Sequence, residues 1–161
     1  MVEIQFSYDG DLRTTATHGP SGEKLFTDAP VDNHGKGESF SPTDLVATAL
    51  GSCMQTVMGI YAQQHEIDLV GMTAKVRKIM KTDPPRRIAR LEVEIEIPLP
   101  SDHPRAKALE KAALTCPVHQ SLLHDIEIPV EFGLGDRKGA SRFSANGRFD
   151  LNSFPSRSIR S

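Results

Sequence analysis

Tryptophan is absent from the 161 residues, and cysteine and tyrosine each occur only twice. Two cysteines are too few for a disulfide-built scaffold, so any special role for them is redox, metal-binding or simply structural. Positive charge is not in excess either: 19 basic against 21 acidic side chains give a formal charge of -2, which excludes a globally basic nucleic-acid binder. Met1 to Asp9 holds two acids and neither a basic n-region nor an apolar h-region. No secretory signal is read there, and the cytoplasm is the expected compartment. No internal repeat interrupts the chain, whose length suits one domain of ordinary size.

The near-neutral sum conceals a split. Lys138 to Ser161 contains five basic residues, one acid and six serines, leaving 14 basic and 20 acidic residues in the preceding body. The expected organisation is therefore a domain over residues 1–134 and a basic, Ser-rich tail over 135–161, either non-native or docked through Phe143, Phe149 or Phe154.

Long uncharged runs are rare, and the one exception is informative. Leu45 to Gln64 is free of charge and long enough to span a bilayer. Its Thr48, Ser52, Gln55, Thr56, Gln63 and Gln64, and the lack of a flanking basic cluster, favour a buried helix of a soluble protein instead. Ser41-Pro42-Thr43-Asp44 supplies its start: an N-cap hydroxyl, a proline at the first helical position and an acid three residues after the cap. Apolar residues surround the axis, so burial all round is expected, with the second copy of a homodimer covering what one chain leaves open.

Around this helix the periodicity is that of strands. Val2 to Tyr8 alternates apolar and polar residues, Asp9-Gly10 signals a hairpin, and Leu12 to His18 returns. Lys24 to Thr27 reads as a third short strand, and Asp28 to Phe40 as a loop. Leu69 to Ile79 and Ile88 to Leu99 read as strands, the latter with Glu92, Glu94 and Glu96 on a solvated face. A helix capped by Ser101 to Pro104, a short helix from Pro117 to His124 and a strand from Ile126 to Phe132 complete the body. The order predicts an α+β fold with largely antiparallel sheet.

From residue types alone, Cys116 is the more acidic thiol, because it precedes Pro117 at a helix N-terminus. Cys53, about three turns into its helix, reads as buried and structural. The motifs containing them alter that order. Ser41-Pro42-Thr43-Asp44-Leu45, Ala49-Leu50-Gly51-Ser52-Cys53-Met54 and Thr115-Cys116-Pro117-Val118 together resemble the OsmC/Ohr superfamily, the osmotically inducible and organic hydroperoxide resistance proteins, in its OsmC-like branch.

That resemblance implies antiparallel sheets wrapped around a long central helix in an intertwined homodimer, with thiol peroxidase chemistry and no metal or flavin. It makes Cys53 the peroxidatic cysteine and Cys116 the thiol that resolves its sulfenic acid into a disulfide, which a dithiol or protein-thiol reductant reopens. In the family an Arg of the N-terminal hairpin stabilises the thiolate and is held by a Glu ten residues before the first Cys. Arg13 matches the first; the second position is Thr43, with Asp44 one residue later. A shift of one residue turns a helical side chain by roughly 100°, and Asp44 equally suits a capping box. Phe40, Leu50, Met54 and Met58 are the expected pocket for an organic hydroperoxide, or hydrogen peroxide, as substrate.

Other readings stand beside this one. A small hydrophobic ligand bound by an OsmC fold without peroxidase turnover would suit the same apolar residues. Cys116 and His119, spaced i, i+3, suggest a metal, but a structural zinc site needs four well-placed ligands. His119 and His124 read as surface or capping residues. The glycines near Gly19 and His34 lack phosphate-loop spacing. Lys75 to Lys81 with Arg86, Arg87 and Arg90 has no interleaved aromatics for base stacking and reads as surface, a guide for anions at most. Neither nucleic acid nor a membrane is an expected partner.

Overall fold

The computed structural model describes residues 1–135, so the expected tail and its Phe143, Phe149 and Phe154 lie outside the described residues. The chain divides into two compact units, one over Met1–Val46 and one from Ala47 onward.

The first unit is a three-stranded antiparallel sheet ordered β1 (Ile4–Gly10), β2 (Arg13–His18), β3 (Lys24–Asp28). Its first turn uses positive φ at Gly10, Asp11 and Leu12, costly for the latter two and tolerated best at a hairpin tip. The period-2 pattern places Ile4, Phe6 and Tyr8 on one face with Ala16 and Leu25, and Arg13 and Asp28 as direct cross-strand partners on the other. The segment to Phe40 is the expected loop, with one 3-10 turn at Val31–Asn33. It closes on itself: Asp28 N–H donates to the Phe40 carbonyl at 3.1 Å and Gly37 N–H to that of Ala29 at 3.2 Å. A Cβ on Gly35 would lie 1.7 Å from the Ala29 carbonyl oxygen, so the loop requires glycine there.

Helix α1 (Pro42–Gln64) begins where the sequence signals it. Ser41 and Asp44 form a capping box: the Ser41 N–H and hydroxyl both donate to Asp44 Oδ2, at 2.8 and 2.7 Å, while Asp44 N–H donates to Ser41 Oγ at 3.2 Å. Burial along the helix, expected all round in a homodimer, is provided by one chain on one side. Within one chain it is a stripe, Ala47, Leu50, Gly51, Met54, Met58 and Ala62, the i, i+3, i+4 spacing of one helical face.

That stripe belongs to the second unit, whose sheet is ordered β4 (Thr73–Met80), β5 (Ile88–Ile97), β6 (Val130–Leu134). Leu91, Val93, Ile95 and Ile97 of β5 are buried, as their alternation with glutamates predicts. A Cβ on Gly51 would sit 3.0 Å from Val76 Cγ2 of β4, so glycine lets helix and strand approach closely.

Two helices, α2 (Ala106–Leu114) and α3 (Pro117–Leu122), connect β5 to β6. They return the chain to the end of the sheet where β5 starts, so β6 pairs parallel to β5; the sheet is mixed rather than purely antiparallel. Strand β4 starts four residues later than expected, because Val70 and Gly71 (φ +95°) form a turn, with Val70 78% exposed. Helix α2 likewise begins after Ser101 to Pro104, which form turns; its N-cap is Arg105, with no side-chain cap.

The glutamates of β5 are partnered as well as wet. Arg77 pairs with Glu94 and, at 3.7 Å, with Glu92; Arg90 pairs with Glu92 at 3.3 Å and Glu127 at 3.6 Å. These two arginines are already committed to carboxylates, which argues against a guide for anions there.

Candidate active site

The second unit brings its two cysteines together. Cys53 lies in α1 next to Met54, at the margin of the buried stripe, and is half-buried. Cys116 is the N-cap of α3, fully buried, its sulfur accepting the His119 N–H at 3.5 Å. Pro117 at the first helical position has no N–H to satisfy, which suits the start of α3. Both thiols are free, and Cys53 lies close enough to Cys116 to influence its ionisation.

The expected acidity of Cys116 is reversed. Burial, then the neighbouring Cys53, push its thiol above the ordinary value, outweighing the N–H groups of His119 and Val118. The helix-terminus effect that motivated the expectation exists, but desolvation exceeds it. Cys116 is thus the buried thiol that stays protonated, and Cys53 is the sulfur with solvent access.

His119, expected as a surface or capping residue, is buried, and its Nδ1 donates to the carbonyl of Leu114, the last residue of α2, at 3.1 Å, a capping contact. Among the described residues no three or more His, Cys, Asp or Glu side chains stand together to hold a metal ion. Of the expected pocket residues, Leu50, Met54 and Met58 are fully buried core, whereas Phe40 is 56% exposed.

Arg13 belongs to the first unit and opens β2. Its Nη2 pairs with the Glu38 carboxylate and lies 3.7 Å from Asp28 Oδ2, and these partners reinforce its charge. Asp28, 1% exposed, accepts the Glu38 N–H at 2.9 Å. That hydrogen bond first, and the Arg13 charge second, hold its carboxyl below the ordinary range despite burial. Asp44, the expected partner of Arg13, spends one oxygen on the helix cap. Asp28 and Glu38 were not singled out from the sequence. The first had a signal, since counting outward from the turn at Gly19 to Gly22 sets Arg13 opposite Asp28; Glu38 had none.

Comparison with known proteins bears on the family and the fold. The family model for OsmC-like proteins matches residues 35–131. A Psychrobacter arcticus 273-4 protein named for osmotic stress induction and a detoxification response is 48% identical, with TM-score 0.76, over 82% of this chain and 96% of its own. An organic hydroperoxide resistance protein OsmC of Legionella pneumophila shares the fold at 16% identity and TM-score 0.63, over 83% of this chain and 96% of its own. An OsmC-like protein of Mycoplasma pneumoniae does so at 18% identity and TM-score 0.71, over 84% and 97%. Comparison with curated proteins gives no match. With the family model matching residues 35–131 and a solved relative 48% identical over 82% of the chain, the chain belongs to the OsmC-like protein family.

Proposed function

We propose that this protein is a thiol-dependent peroxidase that reduces organic hydroperoxides or hydrogen peroxide in a reducing compartment such as the cytoplasm. The observation that carries the reading is the neighbouring pair of free thiols, one half-buried and one fully buried and kept protonated. Family membership, and relatives named for hydroperoxide resistance, support it.

The Cys53 thiolate attacks one peroxide oxygen, breaking the O–O bond; with one proton taken up, the products are a Cys53 sulfenic acid and an alcohol, or water from hydrogen peroxide. Cys116 then attacks the sulfenic sulfur, forming the Cys53–Cys116 disulfide and releasing water. A dithiol or protein-thiol reductant restores both thiols and is itself oxidised to a disulfide. In this reading Arg13 supplies the positive charge that favours the thiolate, Phe40 offers apolar surface to the organic group of the substrate, and the working assembly is a homodimer.

The test is to add cumene hydroperoxide to the reduced protein and weigh the product. Loss of two hydrogens, with Cys53 and Cys116 recovered in one cross-linked peptide, is expected. Cys116→Ser should stop at a Cys53 carrying one added oxygen, and Cys53→Ser should not react. Two free thiols after excess peroxide would remove the peroxidase reading and leave the alternative, a binding protein for a small hydrophobic ligand.

A further inference from the structure

We propose that Asp28, with Glu38 as a second arm, is the positioning carboxylate of Arg13. This rests on the reading above, in which Arg13 supplies the cation for the Cys53 thiolate.

The geometry is a closed ring within the first unit. Arg13 and Asp28 are direct register partners on β2 and β3, so their side chains leave the same face. Asp28 Oδ2 accepts the Glu38 N–H at 2.9 Å and stands 3.7 Å from Arg13 Nη2, and the Glu38 carboxylate returns to that same Nη2. The two carboxylates are therefore tied to each other by the backbone as well as to the guanidinium. The loop that carries Glu38 is closed at its neck by the bonds from Asp28 to Phe40 and from Gly37 to Ala29. Ser39 Oγ adds a further tie to the Phe26 carbonyl at 3.0 Å.

Two physical arguments give this ring a purpose. A free arginine side chain has rotamer entropy to lose, so a guanidinium that must act on one anion benefits from being held beforehand. Both carboxylates engage Nη2, one edge of a planar group that can accept an anion along another. Burying the charge of Asp28 is also costly, and a buried ion pair can often be replaced by apolar residues without loss of stability. A sheet needing only cohesion has cheaper ways to fill this position. The charged groups around Arg13 are Asp28 and Glu38, with Asp11 beyond them paired to Lys36 at 3.8 Å.

The pH profile of Cys53 alkylation by iodoacetamide reads the cation's effect without requiring peroxide turnover. Arg13→Ala should move the profile to higher pH. Asp28→Asn should reproduce most of that displacement, and Glu38→Gln a smaller part. Below the midpoint, each unit of displacement lowers the thiolate fraction about tenfold. The rate with cumene hydroperoxide at pH 7 should fall in step and recover at alkaline pH, which a purely structural loss would not do. If Asp28→Asn does not fold, the exposed Glu38→Gln and Glu38→Ala decide. If Arg13→Ala moves the profile while the carboxylate variants leave it in place, the positioning role is wrong and the peroxidase reading is untouched. An equal displacement by Asp44→Asn would assign the role to the helix start and overturn the proposal. No displacement by Arg13→Ala removes both Arg13 and its carboxylates from the mechanism. Failure of the peroxidase reading itself would appear separately, as two free thiols after peroxide.

Discussion

Two side chains carry pH dependences of opposite sign. Cys116 is held protonated by burial and by Cys53, so its folded-state value lies above the ordinary 9.0. The folded state then binds more protons than the unfolded state above that pH. The stability this confers is fully present below 9.0 and is lost as pH rises through the folded value. Denaturant titrations of the reduced protein should therefore show stability declining above pH 9, and Cys116→Ser should flatten that alkaline slope. Asp28 works the other way: its carboxyl is lowered below the ordinary 3.8, so its contribution is present above that pH and disappears as acid protonates it. Acid unfolding followed by circular dichroism should retain less pH dependence below about pH 4 in Asp28→Asn. An acid slope identical to wild type would show that the Asp28 carboxylate is not coupled to folding.

At the level of elements, helix α1 has to start at Ser41 and approach β4 at Gly51 for Cys53 to stand beside Cys116. Ser41→Ala removes the hydroxyl's bonds to Asp44 and Thr43 and should cost about 1 kcal/mol. Gly51→Val adds bulk where a single Cβ would already be 3.0 Å from Val76. It should cost roughly 1–3 kcal/mol, read as a lowered thermal midpoint, and should also slow Cys53–Cys116 disulfide formation. These elements could be read directly because their signals are local: four residues specify the cap, and the alternation of β5 specifies which side is buried. Other features are set by distant chain and could not be read that way. Val70 looks like strand by composition, but the turn at Gly71 leaves it outside the sheet. The parallel β5–β6 pairing depends on two intervening helices, which no strand pattern encodes.

The same distinction governs the site and the molecule as a whole. The cysteines announced themselves through their motifs, and their pairing followed from resemblance. The partners of Arg13 did not, because Glu38 lies on a loop whose path is fixed by backbone bonds between Asp28 and Phe40. The acidity that residue types suggest for Cys116 is not found, because a helix N-terminus is visible in sequence whereas burial of the sulfur is not. The uncharged helix pointed to association, and the structure specifies the surfaces that remain open. Ile60 of α1 is 51% exposed, and Ile4, Phe6, Tyr8 and Leu25 all expose apolar surface on one face of the first sheet. Apolar area of this kind is ordinarily covered by another chain in a soluble protein. A homodimer, the commonest closed assembly, should therefore form. Sedimentation equilibrium should return twice the chain mass of 17.7 kDa. Phe6→Glu combined with Ile60→Glu should shift the protein toward monomer without unfolding the second sheet, whose buried residues come from β5 and β6. A monomeric wild type at micromolar concentration would show that these apolar faces do not mediate self-association.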